Sequence, residues 1–391
     1  MGYNVKVNDN LKRSVMLGSF AFGIISFILP IYSKRIGGTA ITIGGLFSIF
    51  SIVTLILRPL IGKGIDRYGR KNFFTASFLF YAISMGLYSY STNIIMLYVS
   101  RFIQAVGSSF MWISAYSIAV DIADNEKRGS AIGQIDGAHA KGALYGSIIG
   151  FSVISNFTLI SGWSFLFKGY AVLSIIAGYI VYKYIPETRT VNNEKNIGHK
   201  VALNSDFFKL LIITFISSMS SSMITPLLMV YLQDKFTTDI GILATAFIPA
   251  ALIYAFLPSK LGEFSDKVGR IIPMIIGLTG AGIVSFGFTN LSSIKVLIVL
   301  WMLESIGMVM ASPAQEALVA DIAGEDTLGS TYGIYLLVTS LGAAIGPLFG
   351  GWVYESFGHA TPFYINGSIL LIDAVLVMLL FKNYKIGGNK L

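Results

Sequence analysis

Cysteine is absent from the 391 residues, which excludes disulfides, thiolate metal sites and cysteine nucleophiles. Only 3 histidines are present, which argues against a structural zinc site. Charge is scarce as well. Asp, Glu, Lys and Arg make up 12% of the chain, against about 25% in a soluble globular protein. So few ionic groups do not cover a water-facing surface of this size, which argues against a soluble enzyme or a nucleic-acid binder. Acids are the scarcer sign, 20 against 28 basic residues. What fills the chain is apolar: 54% of residues are hydrophobic, and 41 glycines suit close packing of helices in lipid.

A membrane-crossing helix needs about 20 predominantly apolar residues. Twelve stretches qualify: 14–33, 41–61, 73–91, 97–119, 131–153, 163–184, 209–232, 240–258, 272–290, 296–318, 331–353 and 362–381. They lack the period-two alternation of barrel strands, so helices are expected. Lys12 and Arg13 before the first run imitate a signal peptide, but the run is long and has no small-x-small cleavage site; it reads as a retained helix. With both termini in the cytoplasm, the cytoplasmic segments and the span ends next to them hold 21 of the 28 basic residues. The outer loops hold four: Lys34, Arg35, Lys235 and Lys295. Lysine and arginine placement therefore sets this orientation, and it accounts for the net charge of +8 without any nucleic acid.

The chain repeats itself at an offset of 200 residues. Asp66, Gly69 and Arg70 match Asp266, Gly269 and Arg270; Asp121-Ile122-Ala123 matches Asp321-Ile322-Ala323; Gly142, Gly146 and Gly150 match Gly342, Gly346 and Gly350. The expected architecture is an all-α membrane protein of 12 transmembrane helices in two pseudo-symmetric six-helix bundles, 1–184 and 209–391, joined by a cytoplasmic linker at 185–208. Parallel repeats of this kind are one transporter plan, with the substrate site near mid-membrane between the halves.

Several motifs suggest a conformational latch at the cytoplasmic side. GKGIDRYGRK runs from Gly62 to Lys71, and its weaker copy GEFSDKVGR from Gly262 to Arg270. Gly62 and Gly69 would allow a tight loop and close helix approach. Asp66 is expected to accept from the free amides of a neighbouring helix N-terminus. Arg70 is expected to pair with Asp121 at the end of span 4. Arg67, Arg128, Asp266 and Arg270 complete the set, although Leu328 stands where Arg128 would recur. GKGIDRYGRK resembles the G-x-L-a-D-R-x-G-R-K signature of the major facilitator superfamily, with Gly64 in place of leucine. RFIQAVG, with Arg101, Gln104 and Gly107, resembles that family's span 4 motif. GAAIGPLFGG, Gly342 to Gly351, matches a glycine-proline pattern found in span 5 of its proton-coupled drug exporters, here displaced to span 11. The resemblance covers essentially the whole chain and is greatest to the twelve-span drug:proton antiporters. It implies the major facilitator fold and alternating access.

A charge at mid-bilayer costs roughly 3 kcal/mol on insertion scales, so each one needs a partner or a task. Span 5 carries Asp136, His139 and Lys141; span 10 carries Glu304 and Glu316; span 12 carries Asp373. A carboxyl group in an apolar, half-wet cavity is expected to titrate as the cavity faces alternate sides. Asp136 is the first candidate for proton coupling, with His139, three residues on, as partner or relay; the alternative is a static pair with Lys141 or His139. Glu316 is the second. Glu304 and Asp373 are further candidates, with a place near a headgroup layer or a structural pair with Lys168 or another base as the alternatives. Arg101 either snorkels to the headgroups or faces the cavity and tunes a nearby acid. Phe22, Trp112, Tyr116, Met223 and Met308 are the expected cavity lining, since aromatic and methionine surfaces adapt to varied lipophilic ligands.

The expected function is export of lipophilic or amphipathic small molecules by proton antiport, from a monomer in the cell membrane that needs no cofactor beyond the proton gradient. Its partners are then the small-molecule substrate, protons and the lipid bilayer. The alternatives are an importer or facilitator of a sugar or organic acid, or an exporter of a lipid or lipid-linked substrate. The spans hold few amides for a sugar, namely Gln104, Gln134, Gln315 and Asn366, and only Arg101 for an organic anion. A receptor or scaffold would have lost the acids and latch motifs. An enzyme would show a metal-spaced cluster, a nucleophile elbow or a phosphate loop, and none is present.

Overall fold

The computed structural model describes residues 2–123, 128–189, 205–291, 293–323 and 328–381. Fourteen helices and no strand are found among them. The chain divides into two compact units, Met1–Asn193 and Glu194–Leu391.

The first unit contains α1 (Gly2–Gly18), α2 (Phe20–Arg35), α3 (Ala40–Tyr68), α4 (Arg70–Ser89), α5 (Ile94–Ile122), α6 (Arg128–Asn156) and α7 (Leu159–Tyr184). The second contains α8 (Ser205–Lys235), α9 (Ile240–Phe256), α10 (Pro258–Val268), α11 (Ile271–Thr289), α12 (Ile294–Ala323), α13 (Leu328–Phe357) and α14 (Thr361–Leu380). Pairing α1 with α2, and α9 with α10, leaves six rods per unit. The helices start where the sequence provides caps. The side chains of Thr39, Asn93 and Thr158 accept from the amides of Thr42, Met96 and Ser161, and Asp239 accepts from Gly241 and Ile242.

Among the described residues nine helical stretches are long and apolar enough to cross a membrane, fewer than the twelve expected spans. The three that fall short are α4, α6 and α9. α6 carries Arg128, Asp136 and Lys141 along its length, and α9 has only 17 residues before the chain breaks at Leu257 ahead of Pro258. The first expected span is also interrupted: α1 ends at Gly18 and α2 begins at Phe20.

Each unit has its own apolar core. Phe74, Phe78, Tyr81, Met111 and Ile135 lie at the heart of the first, and Phe207, Met274, Leu278, Leu318 and Leu370 at that of the second. Glycine decides how closely the helices approach. A Cβ on Gly142 or Gly146 of α6 would collide with the backbone carbonyl of Met16 or Phe20. A Cβ on Gly346 of α13 would collide with that of Met219 on α8. The glycine stripe thus packs helix backbone on helix backbone in both units.

Candidate functional site

At the foot of the first unit the motif is mostly helical. α3 runs on to Tyr68, so only Gly69 turns the chain, at φ +94°. Gly62 therefore sits inside a helix with open space where its side chain would be, and the close approach expected there does not occur. Gly64, where the family has leucine, is the crowded position: a Cβ would come 2.8 Å from the Phe73 ring.

Arg70 reaches Asp121 at 3.1 Å and Asp66 at 3.6 Å. Asp66 is largely exposed, and it does not cap the start of α4 as expected. Glu187 does. This residue follows α7, and its carboxylate accepts from the amides of Arg70 at 2.8 Å, Lys71 at 3.1 Å and Arg189 at 3.0 Å. Partial burial opposes its ionisation, but the amides of Arg70, Arg189 and Lys71 outweigh that and hold the carboxyl below its ordinary range. Thr188 donates to Asp121 at 2.8 Å, and the Arg189 guanidinium donates to the Arg67 carbonyl at 2.6 Å. The guanidinium of Arg67 lies over Tyr68, so its backbone rather than its charge joins the cluster. The second unit repeats the main pair, Arg270 to Asp321 at 3.1 Å, behind a turn at Gly269 with φ +90°. The side chains of Arg128 and Asp266 lie outside the described residues.

Deeper in the first unit, Tyr116 of α5 donates to Asp136 of α6 at 2.6 Å, and Asp136 is exposed. His139 is held elsewhere. Its Nδ1 shares a hydrogen bond of 2.8 Å with Ser19, the residue between α1 and α2, and its ring lies edge-on to Phe22 and Trp112. Among the described residues Asp136 makes no hydrogen bond or ion pair to His139 or Lys141. The hydrogen-bond partner of Asp136 is thus Tyr116, one helix away, whereas the His139 ring bonds toward the α1–α2 break and meets Asp136 only through its charge. In the second unit Glu316 of α12 shares a side-chain hydrogen bond with Tyr332 of α13. Glu316 occupies the repeat position of Tyr116, so the carboxylate and the phenol have exchanged sides between the units.

Asp373 is fully buried on α14 and accepts from Ser217 of α8, while its other oxygen has no partner among the described residues. Lys168, in the first unit, lies 5.0 Å over the Tyr90 ring. Glu304 lies beside Tyr254 of α9.

Arg101 does not snorkel, and among the described residues no carboxylate is bonded to it. It is 5% exposed, donates to the Leu46 carbonyl at 3.2 Å and to Gln104 at 2.8 Å, and lies over the rings of Phe47 and Phe50. Its charge holds α3 to α5 through the Leu46 carbonyl. Met223, 1% exposed, packs against Gly350 of α13 and is a core residue rather than cavity lining. Phe22, Trp112 and Tyr116 are partly buried against the first core, and Met308 against the second. The residues that sequence reasoning missed are Glu187, Ser217 and Tyr332. Only Glu187 carried a signal, as an acid just after the basic end of span 6.

The sequence model of the Major Facilitator Superfamily matches residues 14–209 and 210–388. The chain is 25% identical to Multidrug resistance protein 2 of Bacillus subtilis, over 94% of this chain and 93% of that protein. It is 26% identical to the Multi-drug resistance efflux pump PmrA of Streptococcus pneumoniae, over 96% of each. A crystal structure of a bacterial homolog to the human lysosomal transporter Spinster superposes with a TM-score of 0.84 at 16% identity, covering 98% of each chain.

Proposed function

This chain belongs to the Major Facilitator Superfamily, and from that premise we propose that it exports lipophilic or amphipathic small molecules by proton antiport with alternating access. It then works as a multi-pass protein of the cell membrane with both termini in the cytoplasm, as a monomer, powered by the proton gradient alone. The efflux pumps it is similar to support the substrate class. The observation that carries the proton reading is the state of its acids. Asp136 and Glu316 are each held by a tyrosine hydroxyl and, among the described residues, by no basic side chain. A carboxyl group held this way can gain a proton without breaking an ion pair, and its hydrogen bond to the phenol survives in either state. Competition between proton and substrate at such a group couples inward proton flow to outward substrate flow.

The test is efflux of a fluorescent lipophilic dye from proteoliposomes with an imposed pH gradient, comparing the wild type with Asp136→Asn and Glu316→Gln. The expected result is loss of gradient-driven efflux in at least one variant, with downhill dye exchange retained. Unchanged gradient-driven efflux in both would refute this choice of coupling residues.

A further inference from the structure

Lys141 stands unexplained by the proton reading. It is the fourteenth residue of the 29 in α6, well inside the span, where an unpaired charge is costly. Positive-inside anchoring accounts for Lys12 and Arg13 near the start of the first span, but not for a cation at this depth. α1 and α6 run side by side in the same direction, with Asn8 bonded to Gln134 and Gly142 seated on Met16. Between them, wholly within the first unit, lies a cavity of about 450 Å³. Arg13 and Lys12 border it from α1, and Lys141 and Gln134 from α6, with Met16 as an apolar wall. Lys12 is committed to Asp9, another wall residue, at 2.9 Å. Among the described residues Arg13 and Lys141, both exposed, have no hydrogen bond, ion pair or ring contact, and Arg13 feels Asp9 only through its charge. The amide nitrogen of Gln134 is not used by its bond to Asn8, which goes through the oxygen.

We propose that this α1–α6 cavity binds the anionic headgroup of an amphiphile, a phosphate or carboxylate carried on an alkyl body. Two cations outside any ion pair and an amide nitrogen converge on a space large enough for such a headgroup and its first methylenes, and with Lys12 they outnumber the one acid, Asp9, three to one. The residues recur at one helix turn, 9, 12–13 and 16 on α1 and 134, 137–138 and 141 on α6, so the cavity extends along the membrane normal, as a chain-bearing ligand requires. The ligand is either a bilayer lipid or a transported molecule. The site does not depend on proton antiport, so its test is separate from that of the proposed function.

The experiment measures binding of n-decyl phosphate to the full-length protein in neutral maltoside detergent by thermal shift and calorimetry, with inorganic phosphate and decyl maltoside as controls. Decyl phosphate stabilises the wild type and the controls do not. Lys141→Gln and Arg13→Gln each weaken its binding about tenfold, as expected for loss of a charge-assisted bond. Lys12→Gln, already paired, changes it less. Arg13, exposed near the end of α1, gives a variant whose folding is not in question. Unchanged affinity in both the Lys141 and Arg13 variants overturns the proposal, and so does an equal shift from inorganic phosphate alone. Reconstitution separates the sources. If thermal stability rises on adding phosphatidylglycerol to phosphatidylcholine liposomes, and the rise is lost in Lys141→Gln, the site holds a lipid. If labelled decyl phosphate undergoes counterflow that is lost in Lys141→Gln, the site holds cargo. If neither effect is seen, the proposal fails.

Discussion

Removing the Glu187 carboxylate should loosen the first turn of α4 by an amount that can be worked from its bonds. Oε1 accepts from both Arg70 and Arg189, and Oε2 from Lys71. In Glu187→Gln one oxygen becomes an amino group that would face an N–H donor, so at least one bond is lost and the rest lose their charge. Helix-capping side chains contribute about 0.5–2 kcal/mol. Because Glu187 is on the exposed side, the figure expected is about 1 kcal/mol for Gln and about 2 kcal/mol for Ala. Hydrogen–deuterium exchange in nanodiscs reads this directly. The Arg70 and Lys71 amides should exchange roughly 5-fold faster in Glu187→Gln and about 30-fold faster in Glu187→Ala. The pH dependence has a definite sign. The folded-state pKa lies below the unfolded value, so the contribution is complete above an ordinary glutamate pKa of about 4.3 and disappears as pH falls through the folded value. Wild-type protection should therefore decline below about pH 4, whereas the Gln variant shows no such decline once intrinsic exchange rates are divided out. Wild-type exchange rates at residues 70 and 71 in Glu187→Ala would refute the reasoning.

Two further outcomes follow from packing and burial. Gly346→Ala drives a methyl group into the Met219 backbone and should lower stability by about 1–3 kcal/mol. Gly333→Ala, where a Cβ meets nothing, is the control, and the two melting temperatures in detergent should differ clearly. Arg101→Gln removes the charged donor from the Leu46 carbonyl and leaves Gln104 only the Tyr88 hydroxyl, and should cost about 3 kcal/mol. The surviving folded protein should keep the wild-type pH dependence of dye efflux, because no acid lies among the partners of Arg101.

The repeat made the Arg70–Asp121 and Arg270–Asp321 pairs readable in advance, since two copies of one pattern must satisfy the same geometry. Helical hydropathy made most of the spans readable for the same elementary reason: lipid accepts only apolar, internally bonded segments. Contacts between distant helices were not readable. Glu187 reaches Arg70 across 117 residues, and no local pattern announces that the exit of α7 meets the start of α4. Met223 and Met308 have the same composition signal, yet one is sealed against α13 and the other is only partly buried. The hydroxyl partners Tyr116, Ser217 and Tyr332 were obscured because polar residues at helical spacing do not reveal which helix they face.

The exchange at repeat positions 116 and 316 limits what duplication has preserved. Backbone contacts and the cytoplasmic pairs were copied, but the ionisable oxygen sits on α6 in one copy and on α12 in the other. Swapping the two side chains, Tyr116→Glu with Glu316→Tyr, keeps the residue inventory yet sets an acid against Asp136 in one half and a phenol against Tyr332 in the other. Ancestry has left the scaffold twofold and the chemistry lopsided, so the copies are siblings in shape with separate trades.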